Sequence, residues 1–439
     1  MDWQLALVFI VSMLLIFMLI GMHIATSFLS VGLVGMYIFF GGLAGWDLLI
    51  KSMYTSCNTF ILLPIPLFVF MGEILFQTGI SSVLISTVDK LLGRLPGRLS
   101  LLAVSAGTLF ASLTGTSVAS VALLGSTLAP EMERRGYNKS MSLGPIMGSG
   151  CLAIMIPPSG LAVLIGAIAQ TSISQILIAI ILPGLVLALV YALYVIIRCR
   201  LQPFLAPPYE LQYCPVSEKA RDFVKYILPL ATIIFLVVGV IFLGITTPSE
   251  AAATGALGAA LFAALYGKFS WGALKNSVRG TVSISGMMLF IIAGASAFSQ
   301  ILSFSGATQG LSDIIIHLPV PAIVIIMMMM LLVLFMGCLM DTVAIMMITL
   351  PIFMPVVDRL GFNPVWFCVL FLVNCEMALI TPPFGVGLFT MKAVAPEGTT
   401  MRDIILAAFP FLGIDLLVMV LLMFCPILTL WLPRFIFVH

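Results

Sequence analysis

Residues 130–160 read PEMERRGYNKSMSLGPIMGSGCLAIMIPPSG, and residues 355–385 read PVVDRLGFNPVWFCVLFLVNCEMALITPPFG. Laid over one another without a gap, at a spacing of 225, they match at Pro130 and Pro355, Gly136 and Gly361, Asn138 and Asn363, Pro157 and Pro382, Pro158 and Pro383, and Gly160 and Gly385. Glycine and proline sit where the backbone needs a special geometry. Upstream, Gly21, Gly32 and Gly35 match Gly244, Gly255 and Gly258 at a spacing of 223, so the register drifts by only two residues. A collinear set at such residues marks an internal repeat, with halves at 1–200 and 222–439. Between them lies the most polar stretch, RCRLQPFLAPPYELQYCPVSEKARDFVK at 198–225, and 201–221 reads as a cytoplasmic linker.

The repeat is embedded in an apolar chain. Of 439 residues, 62% are hydrophobic and 8% charged, with a mean hydropathy of +1.24, against roughly 25% charged in soluble domains. Such a surface cannot face water. At about 20 apolar residues per crossing, the chain holds roughly ten to a dozen membrane segments. The net charge of +2 gives no basic patch for nucleic acid. Eight cysteines without a CxxC pair argue against a disulfide framework or a metal site. The acidic start MDWQLALVFIVSMLLIFMLIGM, with no small-residue cleavage site, reads as a retained first helix rather than a signal peptide.

Two runs in each half depart from simple spanning helices. Segment 98–135 is interrupted at SLTGTS, carries basic residues at both ends, and fits two short helices that enter and leave on one side. It is expected to be a re-entrant hairpin with its tip at Thr114–Ser117. Its counterpart is 320–359, with a tip at Gly337–Thr342. The following segments, 140–169 and 364–395, are broken at PPSG (157–160) and TPPFG (381–385), where paired prolines stop a helix. Irregular backbone at membrane depth is tolerated only when buried in protein or lining a cavity. The fold class expected is therefore an all-α polytopic membrane protein of two repeats, each with a re-entrant helical hairpin and a discontinuous helix.

With both hairpins returning to their own side, each half makes about five net crossings, an odd number, so the second half is inverted. The basic residues test this. If the first hairpin opens to the cytoplasm, Lys90, Arg94, Arg98, Arg134, Arg135, Lys139, Arg198, Arg200, Lys219, Arg221, Lys225, Lys268, Lys275, Arg279, Lys392 and Arg402 lie inside, and only Lys51, Arg359 and Arg434 lie outside. The positive-inside rule favours this orientation, which puts both termini and the second hairpin outside.

Inverted repeats with broken helices are the plan of secondary transporters. Half-helix N-termini offer N–H groups to an anion, while C-terminal carbonyls and hydroxyls can hold a small cation such as sodium. The first candidate cation site draws on Thr114, Gly115, Thr116 and Ser117 with Pro157, Ser159 and Gly160. The second draws on Gly337, Cys338, Asp341 and Thr342 with Thr381, Pro382 and Gly385. An organic anion would use the same neighbourhood, through Ser117, Pro158, Ser159, Asp341, Thr342 and Pro383. The plainer reading, that small residues only permit close helix packing, is weakened by their recurrence before a broken helix in both halves. Asp341 aligns with Thr116 and is the strongest intramembrane acid. Glu73, Glu376 and Asp415 are expected in a structural hydrogen bond or buried pair, and Lys392 is expected to snorkel to the inner surface. Glu250, in Thr247-Pro248-Ser249-Glu250, has the order of a capping box. The three histidines are scattered, and Met327–Met330 reads as packing or lipid-facing filler.

Together GTSVAS (115–120), IPPSG (156–160), TTPSEAAA (246–253), GCLMDTVA (337–344) and ITPPFGVGLF (380–389) resemble the large membrane subunit of TRAP (tripartite ATP-independent periplasmic) transporters, over nearly the whole chain. The resemblance implies residence in a bacterial inner membrane and an elevator motion of hairpins and broken helices through a scaffold, with sodium (Na+) as the coupling ion bound at the tips and breaks. It implies two partners, a small four-helix membrane subunit and a periplasmic substrate-binding protein. It implies a carboxylate cargo such as a C4-dicarboxylate, sialic acid or another sugar acid. A self-sufficient divalent-anion and sodium symporter is the alternative. An enzyme is disfavoured, since no HExxH, no paired histidines, no nucleophile with its base and no P-loop occur.

Overall fold

The repeat residues explain why the helices start and stop where they do. In the computed structural model, which describes residues 2–93, 95–114, 116–207, 215–338 and 340–437, the regular structure is helical throughout. The first half runs α1 (Trp3–Leu19), α2 (Ile24–Phe39), α3 (Leu43–Cys57), α4 (Pro64–Gln77), α5 (Ile80–Leu92), α6 (Arg98–Thr114), α7 (Ser117–Arg134), α8 (Lys139–Cys151), α9 (Gly160–Ile168), α10 (Ile173–Ala179) and α11 (Ile181–Leu201). After it come α12 (Val216–Asp222), α13 (Leu228–Ile234), α14 (Val240–Phe242), α15 (Pro248–Leu265), α16 (Trp271–Phe304), α17 (Ala307–Ile316), α18 (Ala322–Gly337), α19 (Thr342–Arg359), α20 (Pro364–Ile380), α21 (Val386–Val394), α22 (Met401–Phe424) and α23 (Ile427–Phe437).

Helices α7 and α19 each end at a glycine with positive φ, Gly136 at +75° and Gly361 at +73°, the left-handed geometry that closes a helix C-terminus. Two residues later Asn138 and Asn363 cap α8 and α20, accepting from Ser140 N–H and from Val365 and Trp366 N–H. Paired prolines then interrupt the chain at Pro157-Pro158 and at Pro382-Pro383, between α8 and α9 and between α20 and α21. The matched residues thus occupy matched structural places.

One group of helices gathers on α16, which packs along α2, α3 and α4, with α15 laid on α4. A second group gathers on α8 and α20: α6, α7 and α22 pack on α8, while α18, α19 and α22 pack on α20. Small residues set the spacing in both. A Cβ on Gly35 would come 2.6 Å from Ile301 of α16, and one on Gly148 would come 2.6 Å from the Phe411 ring of α22. Among the described residues six helical runs are long and apolar enough to cross a membrane: Phe60–Gln77, Ile173–Leu201, Val216–Phe242, Trp271–Phe304, Thr342–Arg359 and Met401–Phe424. Helices α1, α2, α18 and α20 are apolar but shorter. Large apolar side chains such as Leu5, Val8, Leu189, Leu261 and Leu417 stand exposed on the outside, as a lipid-facing surface requires.

The polar middle is more structured than its composition suggests. The helical run that begins the second half starts at Val216, five residues before the expected end of the linker, because Lys90 of α5 anchors it by ion pairs to Glu218 at 3.1 Å and Asp222 at 2.6 Å. The run passes through π-helical turns at Phe223–Ile227 and Phe235–Gly239. Pro229 between them lacks the N–H that a regular α ladder needs. Several charged segments meet at this end of the molecule. Lys139 pairs with Asp403 at 2.8 Å, Arg98 with Asp89 at 2.9 Å, and Asn138 N–H donates to Leu205 C=O at 2.9 Å.

Candidate functional site: two hairpin tips and two helix breaks

Helices α6 and α7 pack together about the first candidate tip, and α18 and α19 about the second. At the first tip Thr116 is the N-cap of α7, in extended backbone, and Ser117 opens the helix. Gly115 and the side chain of Thr114 lie outside the described residues, as do Arg94, Cys214 and His439. Ser117, buried, donates its hydroxyl to the carbonyl of Cys151, the last residue of α8, at 3.4 Å. The tip is thereby tied to the approach of the first break. Contact there is close, since a Cβ on Gly150 would lie 2.5 Å from Val121 of α7.

The first break continues through a single 3-10 turn, Leu152–Ile154, to Pro157-Pro158 and Ser159. Pro157, Pro158, Ser159 and Gly160 are all buried. The prolines sit dry against Phe68, Leu177, Ile178, Val237, Val238 and Ile241. Ser159 caps α9, its Oγ accepting from Ala162 N–H at 3.3 Å. One N–H expected to await an anion is therefore already held by the chain.

The second tip presses on α20 instead. A Cβ on Gly337 would lie 2.2 Å from the Ala378 methyl, so only glycine fits. Cys338 turns its thiol back onto the Leu334 carbonyl at 3.4 Å. Asp341 is the N-cap of α19: its Oδ2 accepts from Val343 N–H at 3.1 Å, and Thr342, buried, opens the helix. At the second break Thr381 donates its hydroxyl to Met377 C=O at 2.7 Å and accepts Gly385 N–H on its own carbonyl at 3.1 Å. A Cβ on Gly385 would fall 2.6 Å from the Leu379 carbonyl oxygen. Unlike its counterpart, this break is open: Pro383 and Phe384 are exposed. The halves are linked crosswise, α7 packing on α21 and α19 on α9.

The weaker acids are placed as well. Glu250 closes its capping box with Thr247, and Glu73 accepts from Gln77 at 3.2 Å. Lys392 donates to the Thr399 carbonyl. Glu376 and Asp415 are fully buried, and Tyr191 donates to Asp415. Sequence spacing could not bring Tyr191 to Asp415, since they are 224 residues apart.

A cavity of approximately 1670 Å³ lies elsewhere, between the α3–α4 connection, the α9–α10 loop, α16 and α19. Thr55, Gln170, Thr171, Ser299, Glu250 and Asp358 give it a polar wall. None of the tip or break residues named from the sequence lines it; it adjoins the site through Gly166 and Leu164 of α9 and Met347 and Leu350 of α19.

Apolar helices long enough to cross a membrane, with two interrupted helices among them, define a polytopic membrane protein. The comparisons agree. The family model described as "Tripartite ATP-independent periplasmic transporter, DctM component" matches residues 11–428, and the chain belongs to that family as a TRAP transporter large membrane subunit. It is 32% identical over 395 residues to a C4-dicarboxylate TRAP transporter large permease protein of Pseudomonas aeruginosa, covering 88% of this chain and 89% of that one. It is 26% identical to an ectoine/5-hydroxyectoine TRAP transporter large permease protein of Ruegeria pomeroyi, covering 95% and 96%. The crystal structure of the Alcanivorax borkumensis YdaH transporter shares the fold, with a TM-score of 0.65 at 17% identity over 90% of each chain.

Proposed function

We propose that this subunit drives sodium-coupled uptake of a small carboxylate-bearing solute across a bacterial inner membrane, by an elevator motion of the group built on α8 and α20 against the group built on α16. A periplasmic substrate-binding protein delivers the solute and a small four-helix membrane subunit braces the scaffold. The two halves are inverted repeats, and both termini face the periplasm. The single observation that carries the reading is the docking of a hydroxyl- or carboxylate-bearing hairpin tip on a proline-broken helix in each half, Ser117 at Cys151 and Gly337 at Ala378. Hydroxyls, carbonyls and one carboxylate are hard oxygen donors suited to sodium, and the positive ends of the half-helices favour an anion nearby.

In the orientation favoured by the basic residues, the α9–α10 loop, Thr247–Glu250 and Asp358 are periplasmic, so the large cavity serves as an outer vestibule into which a delivered solute passes. A C4-dicarboxylate and ectoine, named for the two relatives, both carry a carboxylate, which supports that cargo class here.

Uptake into proteoliposomes containing all three proteins tests the proposal. Thr116→Ala, Ser117→Ala and Thr342→Ala are expected to raise the sodium concentration needed for half-maximal uptake by about fivefold or more, the effect of losing one ligand oxygen worth about 1–3 kcal/mol, with a smaller change in solute dependence. Unchanged sodium dependence in all three variants returns these residues to helix packing. Full uptake without the binding protein replaces the reading by a self-sufficient symporter.

A further inference from the structure

Two acids are left without work by the sodium sites. Glu376 lies on α20 one turn before the second break, and Asp415 lies midway along α22; each is 0% exposed. Tyr191 of α11, equally buried, donates its hydroxyl to Oδ1 of Asp415. Neither carboxylate oxygen of Glu376 has a hydrogen-bond partner, and neither has Oδ2 of Asp415. Among the described residues no lysine, arginine or histidine pairs with either acid. The helices that carry them, α20 and α22, pack on one another, and α11 with Tyr191 packs on α22. The other titratable groups facing them are Tyr191 from α11 and the Cys151 thiol from α8. Cys151 stands 225 residues before Glu376, so a neutral thiol occupies the position in the first half that the acid occupies in the second.

Two bare carboxylates cannot remain ionised side by side in a dry interior, where each charge costs several kcal/mol and the pair repels. A cation or a proton has to be present. A hard cation takes about six oxygen ligands, and the site leaves three unpartnered, two on Glu376 and one on Asp415. A proton needs only a donor oxygen and an acceptor.

We infer that Glu376 and Asp415 form a proton-binding site inside the α8–α20–α22 group. Glu376 carries the proton and donates it to Oδ2 of Asp415, whose Oδ1 accepts from Tyr191. The site then holds one negative charge with two donors instead of two charges with one. The folded protein binds a proton that the unfolded chain releases at neutral pH, so stability falls as pH rises.

The full chain in nanodiscs tests this by infrared spectroscopy and thermal unfolding, neither of which involves uptake. A failure here therefore leaves the transport reading standing, and a failure of uptake leaves this one standing. At about pH 7, where ordinary carboxyls are ionised, the wild-type spectrum is expected to show the carbonyl stretch of a protonated carboxyl, and Glu376→Gln is expected to lack it. The wild-type thermal midpoint is expected to fall between about pH 7 and pH 9. That fall is expected to shrink by at least half in Glu376→Gln and Asp415→Asn, whose amides supply an N–H that cannot be titrated away. Absence of the carboxyl band from the wild type overturns the proposal even if neither variant folds. So does an identical pH course in all three proteins. A sodium-induced rise of the wild-type midpoint that Glu376→Gln removes assigns the pair to sodium and overturns it too.

Discussion

Asp341 caps α19, and the proposed function gives it a second, chemical role. Its Oδ2 accepts Val343 N–H and caps α19, while its charge sits at a tip where the other half has Thr116. Asparagine is as good an N-cap as aspartate, whereas alanine costs about 1 kcal/mol. Asp341→Asn is therefore expected to keep the wild-type thermal midpoint and abundance while uptake falls severely; Asp341→Ala should lower both. Wild-type transport by a well-folded Asp341→Asn, with unchanged sodium and solute dependence, reduces the residue to a cap. Gly337 permits a second test. An added methyl would stand 2.2 Å from the Ala378 Cβ, and overpacking of that kind costs about 1–3 kcal/mol. Gly337→Ala is expected to lift the tip from α20 and cut uptake about tenfold or more. Adding Ala378→Gly, which vacates the same space, should restore most of it. Failure of that rescue places the defect in the glycine backbone rather than in the contact.

At the scale of the element, the helix interruptions were legible because interruption leaves a local signature. SLTGTS and GCLMDT end helices that the surrounding composition would continue, and consecutive prolines stop a helix wherever they fall. Helix bounds at Arg98–Thr114, Ser117–Arg134, Ala322–Gly337 and Thr342–Arg359 accordingly lie within two residues of the expected hairpins. Legibility ended where a partner is remote in sequence. Composition alone cannot tell that the first break is buried while Pro383 and Phe384 of the second are exposed, or that Tyr191 meets Asp415. The contact of Lys90 was hidden for the same reason: residues 216–221 of the expected linker fold into α12 beside it. The Lys90 ammonium, hydrogen-bonded to Asp222, holds that carboxyl below the usual carboxylate range. Asp222 thus contributes stability above the ordinary range, and the contribution is lost as pH falls through the lowered value. Asp222→Asn is expected to lower stability by about 1 kcal/mol at neutral pH, no more because Lys90 is 38% exposed. The difference should narrow in acid. Thermal midpoints of the two proteins at neutral and acid pH measure it, and a constant gap across pH denies the ion pair its role.

Across the whole molecule, the proposed orientation rests on where charge collects. Sixteen of nineteen basic residues lie on one side if the first hairpin opens inward, the bias that the positive-inside rule reads as cytoplasmic. The folded chain adds that segments assigned to that side touch one another although they come from distant parts of the sequence. Lys90 meets Glu218 and Asp222, Lys139 meets Asp403, and Asn138 meets Leu205. Asp313 of α17 and Arg359 at the end of α19 pair with each other, and Asp358 next to Arg359 lines the large cavity proposed as a vestibule. If the orientation were reversed, the cluster of basic segments would be periplasmic and the vestibule would open to the cytoplasm, where no periplasmic protein could deliver a solute. Single cysteines decide between these arrangements, introduced into a background without the native thiols, of which Cys57 is exposed. In intact cells an impermeant thiol reagent is expected to label Asp313→Cys at once and Arg135→Cys only after the membrane is opened. Labelling of Arg135→Cys but not Asp313→Cys in intact cells would invert the whole assignment, vestibule included.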